Sequence, residues 1–474
     1  MDETRDTTGG QGPAPRRPAV GAALAGLSAT TLLAGTLVAG TALAGSPPDG
    51  ELPRWSAVAV GLGHTCAVRA GGTLWCWGHN DSGQLGDGTT TGSALPVRIG
   101  SQSSWVGIAA GDRHTCGIRE DASLWCWGAD PSAPPPVPGS GTVPERIGQG
   151  TGWRSVLAHG SNTCAIDVGE DLWCWGDNSH GQVGDGTTTP RPGPVRVLPE
   201  GRTAGDSRWT EISPGDGFTC GTRSDDSLWC WGANEDGAVG DGTETDQYRP
   251  VRIDAGTRWT TVRAGHDHAC ALQDNGIAWC WGDNSDGQLG TSTYFPVPLP
   301  VPVLDRGTWS GLTAGQDFTC ALRPDSTLWC WGTNEHGELA ASREDLVTAG
   351  VPLRAPGDEV WRTLSAGAGT ACGLHADGTL WCWGANRWGQ IGDGTLENRT
   401  APTPVGLPPR PDRRTTDSPT AGPTGSPTVE PTTSPTGGPT VPLPTGSPTA
   451  DPTAGPTGSP AGPVTADPAG ERPA

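Results

Sequence analysis

Lysine is absent from all 474 residues of this chain, so its 30 basic residues are all arginine. That absence excludes a phosphate-loop lysine, a Schiff-base lysine and a lysine general base. Positive charge is scarce overall: 51 acidic residues leave a net charge of −21. Such a balance argues against nucleic acid, whose phosphates reward a basic surface. Phenylalanine and tyrosine are nearly missing, 3 and 2 residues against 22 tryptophans, a skew that points to one short Trp-containing unit copied many times. Long helices are excluded as the dominant element, because 75 Gly and 46 Pro make up a quarter of the chain and are the two poorest helix residues. Only one stretch is long and uncharged enough to engage a bilayer, residues 19–45.

That stretch follows Arg16-Arg17-Pro18 and closes with Ala42-Leu43-Ala44, a small-x-small pattern. Residues 1–45 therefore read as a secretory signal peptide cut after Ala44. The alternative is an uncleaved signal anchor, the one reading in which the protein touches a membrane. With the arginine pair before the segment and Asp49 and Glu51 after it, both readings place the remainder outside the cytoplasm. Residues 46–54 form a short linker. At the other end, residues 411–474 consist largely of Pro, Thr, Ser, Gly and Ala with no aromatic residue; this composition cannot bury a core and predicts a disordered stalk.

Between them the chain repeats itself. Cysteines 66, 116, 164, 220, 270, 320 and 372 each have a partner ten residues on and a tryptophan eleven residues before. The spacing is constant in all seven copies, and length varies only after the Trp-Gly that closes the cysteine pair. Each constant core reads as strands: WSAVAV, TCAVR and TLWCW alternate at period two, with tight Gly- and Asp-rich turns between the last two. Pro-Val-Arg-Ile at 96–99, with counterparts at 194–197 and 250–253, supplies a fourth. About four short strands per copy, seven times, predict an all-β, seven-bladed β-propeller over 55–410, with an open solenoid as the alternative.

The hairpin register pairs the cysteines. A three-residue turn sets Cys66 directly opposite Cys76, within disulfide reach if the two are a non-hydrogen-bonded pair. The same register gives Cys116–Cys126, Cys164–Cys174, Cys220–Cys230, Cys270–Cys280, Cys320–Cys330 and Cys372–Cys382, as expected of paired cysteines in an exported chain. Fourteen reduced thiols packed as small core residues are the alternative. Zinc is disfavoured because no C-x2–4-C spacing occurs. Trp75 and Trp77 point to one face of the blade and Cys66, Val68, Leu74 and Cys76 to the other; stacking such faces between blades makes 21 of the tryptophans core.

The phrase at 63–89, with its Trp-Gly-x-Asn-x-x-Gly-Gln-Leu-Gly segment recurring at 175–184, 281–290 and 383–392, resembles the repeat of the regulator of chromosome condensation family. The resemblance covers the region between signal and tail, implies a seven-bladed propeller, and suggests an exported bacterial member. The eukaryotic namesake is an exchange factor for a small GTPase and binds chromatin, and neither activity carries over to an acidic, exported chain. A secreted bacterial β-lactamase inhibitory protein with a similar propeller binds an enzyme through one face of its ring. Two copies depart from the pattern: residues 130–141 replace the Gly-Gln-Leu-Gly loop, and the sixth copy reads Gly337-Glu338-Leu339-Ala340.

No catalytic arrangement, cofactor motif or metal set stands out. The histidine two residues before the first cysteine, at 64, 114 and 268, gives way to Asn162, Phe218, Phe318 and Thr370, which points to a structural turn role. Asp283-Asn284-Ser285-Asp286-Gly287 lacks the alternating oxygens of a calcium loop. Outside the repeat pattern four aromatic residues remain in the variable loops: Tyr248, Tyr294, Phe295 and Trp388. Loops carry function and aromatic residues anchor interfaces, so these are the candidate binding residues. The expectation is a non-enzymatic, disulfide-pinned scaffold, secreted or on the cell surface, that engages a protein partner through loops on one rim. A cell-surface glycan-binding module and a secreted enzyme using the central channel are the alternatives.

Overall fold

The computed structural model describes residues 52–128, 141–148, 150, 152–198, 208–305, 307–341 and 346–406. The expected signal segment, the tail and most of the altered second-copy loop lie outside the described residues. Seven four-stranded antiparallel sheets follow one another, each built from one contiguous stretch. They span residues 55–98, 105–146, 153–196, 209–253, 259–302, 311–354 and 361–404, here blades 1 to 7. In blade 1 the strands are Trp55–Val60, His64–Arg69, Leu74–Gly78 and Ser93–Arg98. The first strands of successive blades lie against one another, so they surround the axis and the fourth strands lie outermost.

Alternating side chains explain the stacking. Cys66, Val68, Leu74 and Cys76 of blade 1 pack against Trp105 and Trp127 of blade 2; Cys372, Leu374, Leu380 and Cys382 of blade 7 pack against Trp55 and Trp77 of blade 1. Each core is thus shared by two blades. A buried indole N–H seeks a partner, and for the last tryptophan of the Trp-Cys-Trp triplet the loop of the preceding blade provides one. Trp127 Nε1 donates to the Gln84 carbonyl (2.9 Å), Trp231 to that of Gln182 (2.9 Å) and Trp331 to that of Gln288 (2.8 Å). Trp77 donates to the Gln390 carbonyl (2.9 Å), so blade 7 joins blade 1 by the same contact as these other pairs. The ring is closed rather than an open solenoid.

The first indole of each Trp-Cys-Trp triplet departs from the core expectation. Trp75 is half-buried, donates to Thr73 Oγ1 (3.1 Å) and carries the Arg69 guanidinium 4.3 Å from its ring centroid. It sits near the hairpin turn and packs only partly buried against the core shared with blade 7.

Seven disulfides join the facing cysteines, with Cα atoms 4.0 to 4.1 Å apart. Ala67 faces Trp75 and Val68 faces Leu74. Arg69 N–H bonds the Thr73 carbonyl across the turn, which leaves 66/76 as a close, non-hydrogen-bonded pair. Cys76 therefore aims its backbone groups at the fourth strand, where it faces Val97. The residue before that partner turns its backbone outward, and in all seven blades it is proline: Pro96, Pro144, Pro194, Pro250, Pro300, Pro352 and Pro402. A proline there removes the outward N–H and blunts the edge.

Candidate functional site

Turns between first and second strands share one end of the ring with the long loops between third and fourth strands, here the loop face. In blades 1 and 3 to 7 each of those loops is folded by one asparagine. Asn80 Oδ1 accepts from Leu85 N (2.9 Å) and its Nδ2 donates to the Thr89 and Thr91 carbonyls (3.2 and 3.0 Å). Asn178, Asn234 and Asn386 repeat the knot. The two residues between this asparagine and the following glycine form the loop tip, and here the copies diverge: Asp81-Ser82, Ser179-His180, Glu235-Asp236, Ser285-Asp286, Glu335-His336 and Arg387-Trp388. A constant turn thus presents a variable pair.

The four candidate aromatics all lie on this side but pack against different neighbours. Tyr248, 46% exposed, leans on Gly181 of blade 3. Tyr294, 48% exposed, fills the space over Gly287 and Gly350, where any side chain would meet its ring. Phe295 is 76% exposed. Trp388 is half-buried; it stacks on His79 of blade 1 (centroids 4.9 Å apart) and carries Arg387 3.7 Å above its ring. Only Tyr294 and Phe295 are neighbours.

The histidines at 64, 114 and 268 are not turn residues but buried bridges between blades. Their Nε2 atoms bond Thr115, Thr163 and Thr319 of the following blade at 2.8, 2.8 and 3.0 Å. Burial pushes His64 down to about 3 and His268 down to about 4, so both are neutral spacers, which explains why Phe218 and Phe318 replace them.

Near the axis, the first-to-second strand turns link by backbone bonds, among them Asp112 N–H to Gly160 O (2.9 Å) and His266 N–H to Gln316 O (3.2 Å). There the fold gathers a cluster that sequence reasoning missed. His266 Nε2 lies 3.0 Å from Asp216 Oδ2, and its Nδ1 bonds Asp267. The bond to Asp216, reinforced by that to Asp267, pushes His266 up to about 10 and holds Asp216 below the usual carboxylate range. Burial, against the opposing pull of Asp112 and Asp216, lowers His159. Burial, against the pull of His266, also raises Asp317 to about 6, with Asp286, Asp283 and Asp267 adding like charge. The available signal was departure from the repeat: His159 stands where most other copies have glycine, and the next position varies from Leu62 to Asp112, Asp216, His266 and Gln316. Among the described residues no group of three or more His, Cys, Asp or Glu is arranged to hold a metal ion.

Comparison with known proteins agrees with this architecture. Two models of the regulator of chromosome condensation (RCC1) repeat match, one at residues 71–118, 170–221, 225–272, 275–322 and 377–416, the other at 55–84, 105–132, 209–238, 259–288, 309–338 and 361–390. No curated protein sequence matches. Among solved structures, human WBSCR16 is similar at 19% identity and a TM-score of 0.63, covering 71% of this chain and 94% of that one. Yeast RCC1 (Prp20) bound to Kap60 is similar at 17% identity and 0.62, covering 70% and 83%. Prp20p from Saccharomyces cerevisiae, described with its binding properties to Gsp1p and histones, is similar at 16% and 0.62, covering 72% and 87%. These likenesses show the fold. The repeat models together span more than half of the chain, and the protein belongs to the regulator of chromosome condensation (RCC1) repeat family.

Proposed function

We propose that this protein is an extracytoplasmic binding scaffold that engages a protein partner through the loop face. The observation that carries the reading is the division of labour within each repeat. The constant residues are spent on the fold: indoles bond the preceding loop, cysteines close hairpins and asparagines knot loops. The divergent residues stand at loop tips and rims, with Tyr248, Tyr294 and Phe295 exposed. Exposed aromatic residues on a rigid frame have little entropy to lose on binding and favour interfaces. Seven disulfides suit an oxidising compartment. Propellers of the same fold bind proteins, Kap60 in one solved complex and Gsp1p and histones for Prp20p.

The axial cluster reads as part of this face rather than as a catalytic centre. Held protonated between two carboxylates, His266 has no free lone pair at neutral pH and cannot serve as a general base. The test is capture of partners from an extracytoplasmic protein fraction by the immobilised protein. The Tyr294→Ala/Trp388→Ala variant is expected to lose most of the capture while its near-ultraviolet circular dichroism stays native-like. Undiminished capture by that folded variant would remove this rim from consideration.

A further inference from the structure

The loop face is not electrically uniform. Where blades 3 and 7 begin their fourth strands, arginines neutralise the loop carboxylates: Arg191 pairs with Asp185 and Arg399 with Asp393. Blades 4 and 5 carry Gln247 and Val297 at those strand positions, and the arginine is lost. Next to them lie the acidic tips. Asp236, Asp286, Asp317 and Glu335 have no ion-pair partner among the described residues, while the nearby His266 is already shared by Asp216 and Asp267. Partial burial raises Asp236 above the usual carboxylate range, and Asp283, Asp267, Glu235 and Glu244 add like charge. Asp286 is raised by burial and then by Asp283 and Glu335. These carboxylates therefore form one repelling field across blades 4 to 6.

The exposed aromatic pair borders that field. Tyr294 packs on Gly287, the residue after Asp286, and Phe295 follows it into solvent. Leu299, also exposed, sits beside Gly242 of blade 4. An apolar patch and a negative field, relieved only in part by His266 at Asp317, thus lie side by side on the loop face.

We propose that this sector of the loop face docks a basic segment of a partner protein, its arginine or lysine side chains over the carboxylates of blades 4 to 6 and an adjacent apolar side chain against Tyr294 and Phe295. The proposal rests on the binding-scaffold reading and names the chemistry of its partner. Charge complementarity selects the occupant. A second copy of this chain would bring like charge onto like charge, which disfavours self-association. Strand addition is disfavoured because the outermost strands carry prolines at the outward-facing position, so recognition falls to side chains. A basic segment relieves the repulsion among the carboxylates, and the aromatic pair supplies the desolvated anchor that charge alone lacks.

The probe is a short synthetic peptide of alternating arginine and leucine, with a glutamate-leucine peptide of equal length as control, measured by calorimetry against the full chain over a salt series. The arginine peptide is expected to bind, and to weaken as salt rises. Binding should fall about tenfold or more in Asp236→Asn/Asp286→Asn/Glu335→Gln, and comparably in Phe295→Ser. Equal binding by the neutralised variant, equal binding of the glutamate peptide, or self-association of the chain through Phe295 would overturn the proposal. Partner capture that survives in the neutralised variant would sink this inference and leave the scaffold reading standing. Loss of capture confined to the Tyr294→Ala/Trp388→Ala variant would likewise sink it while sparing the scaffold.

Discussion

A single imidazole shows how little of a residue's role is visible in its identity. His64 and His268 occupy positions that phenylalanine fills in other blades, so a site of obligatory chemistry is ruled out there. The structure adds the reason for tolerance: the ring spans to the next blade's threonine in a dry joint, where bulk matters more than a proton. Folded-state values of about 3 and about 4 lie below the ordinary 6.5. Between those limits the unfolded chain takes up protons that the folded chain refuses, and stability falls as pH drops from 6.5 toward 4, by on the order of a few kcal/mol. His64→Phe/His268→Phe should flatten that acid decline in a series of melting temperatures; an unchanged slope would show that the two rings do not titrate on unfolding. His266 works in the opposite sense. Raised to about 10, it contributes stability fully present below 6.5 and lost as pH rises toward 10.

At the scale of the element, the loop that carries the family resemblance is a joint. Its asparagine knots the turn, its Gln carbonyl receives the next blade's indole, and its last glycine lets that indole approach. Gly86 has φ of +77°, and a Cβ added there would stand 2.5 Å from Trp127 Nε1. Gly86→Ala is therefore expected to cost about 2 kcal/mol through left-handed strain and overpacking. Ala340 already holds the equivalent place in blade 6 with φ of +53°, and Ala340→Gly should gain up to about 1 kcal/mol. Calorimetric melting temperatures moving in opposite directions would establish the pair; a neutral Gly86→Ala would mean that the joint flexes. The motif's spacing was legible in the sequence because it recurs. Its reach into the next blade was not, because the acceptor and the indole are separated by 43 residues between Gln84 and Trp127.

Across the whole molecule, seven equivalent staples and, among the described residues, six loop-to-indole joints distribute stability around the ring. Each disulfide closes a short loop and contributes roughly 2–3 kcal/mol in the chain-entropy view. Cys66→Ala/Cys76→Ala and Cys220→Ala/Cys230→Ala should each lose about that much, measured by denaturant unfolding, and intact mass should rise by two hydrogens per bridge on reduction. A mass unmoved by reductant, or a cost confined to one blade, would contradict an even distribution of staples. The loop face alone escapes the symmetry, with acid on blades 4 to 6, arginine and tryptophan on blade 7, and the axial cluster between.

Local periodicity determined a good deal by itself. Cysteine and tryptophan spacing sets the strands, the hairpin register and the facing cysteine pairs, because antiparallel geometry fixes which side chains meet within a few residues. It also marked Tyr294 and Phe295 as exceptions to the repeat, though not that Trp388 is half-sheltered by His79. Closure of the ring, the bridging histidines, and the convergence of Asp216, His266 and Asp267 with the tips of blades 4 to 6 were decided only by tertiary structure. Those residues come from different copies, and a repeat pattern averages away the differences between copies. Only the radial packing of blades, which turns every first-to-second strand turn toward one axis, brings the differences together in space.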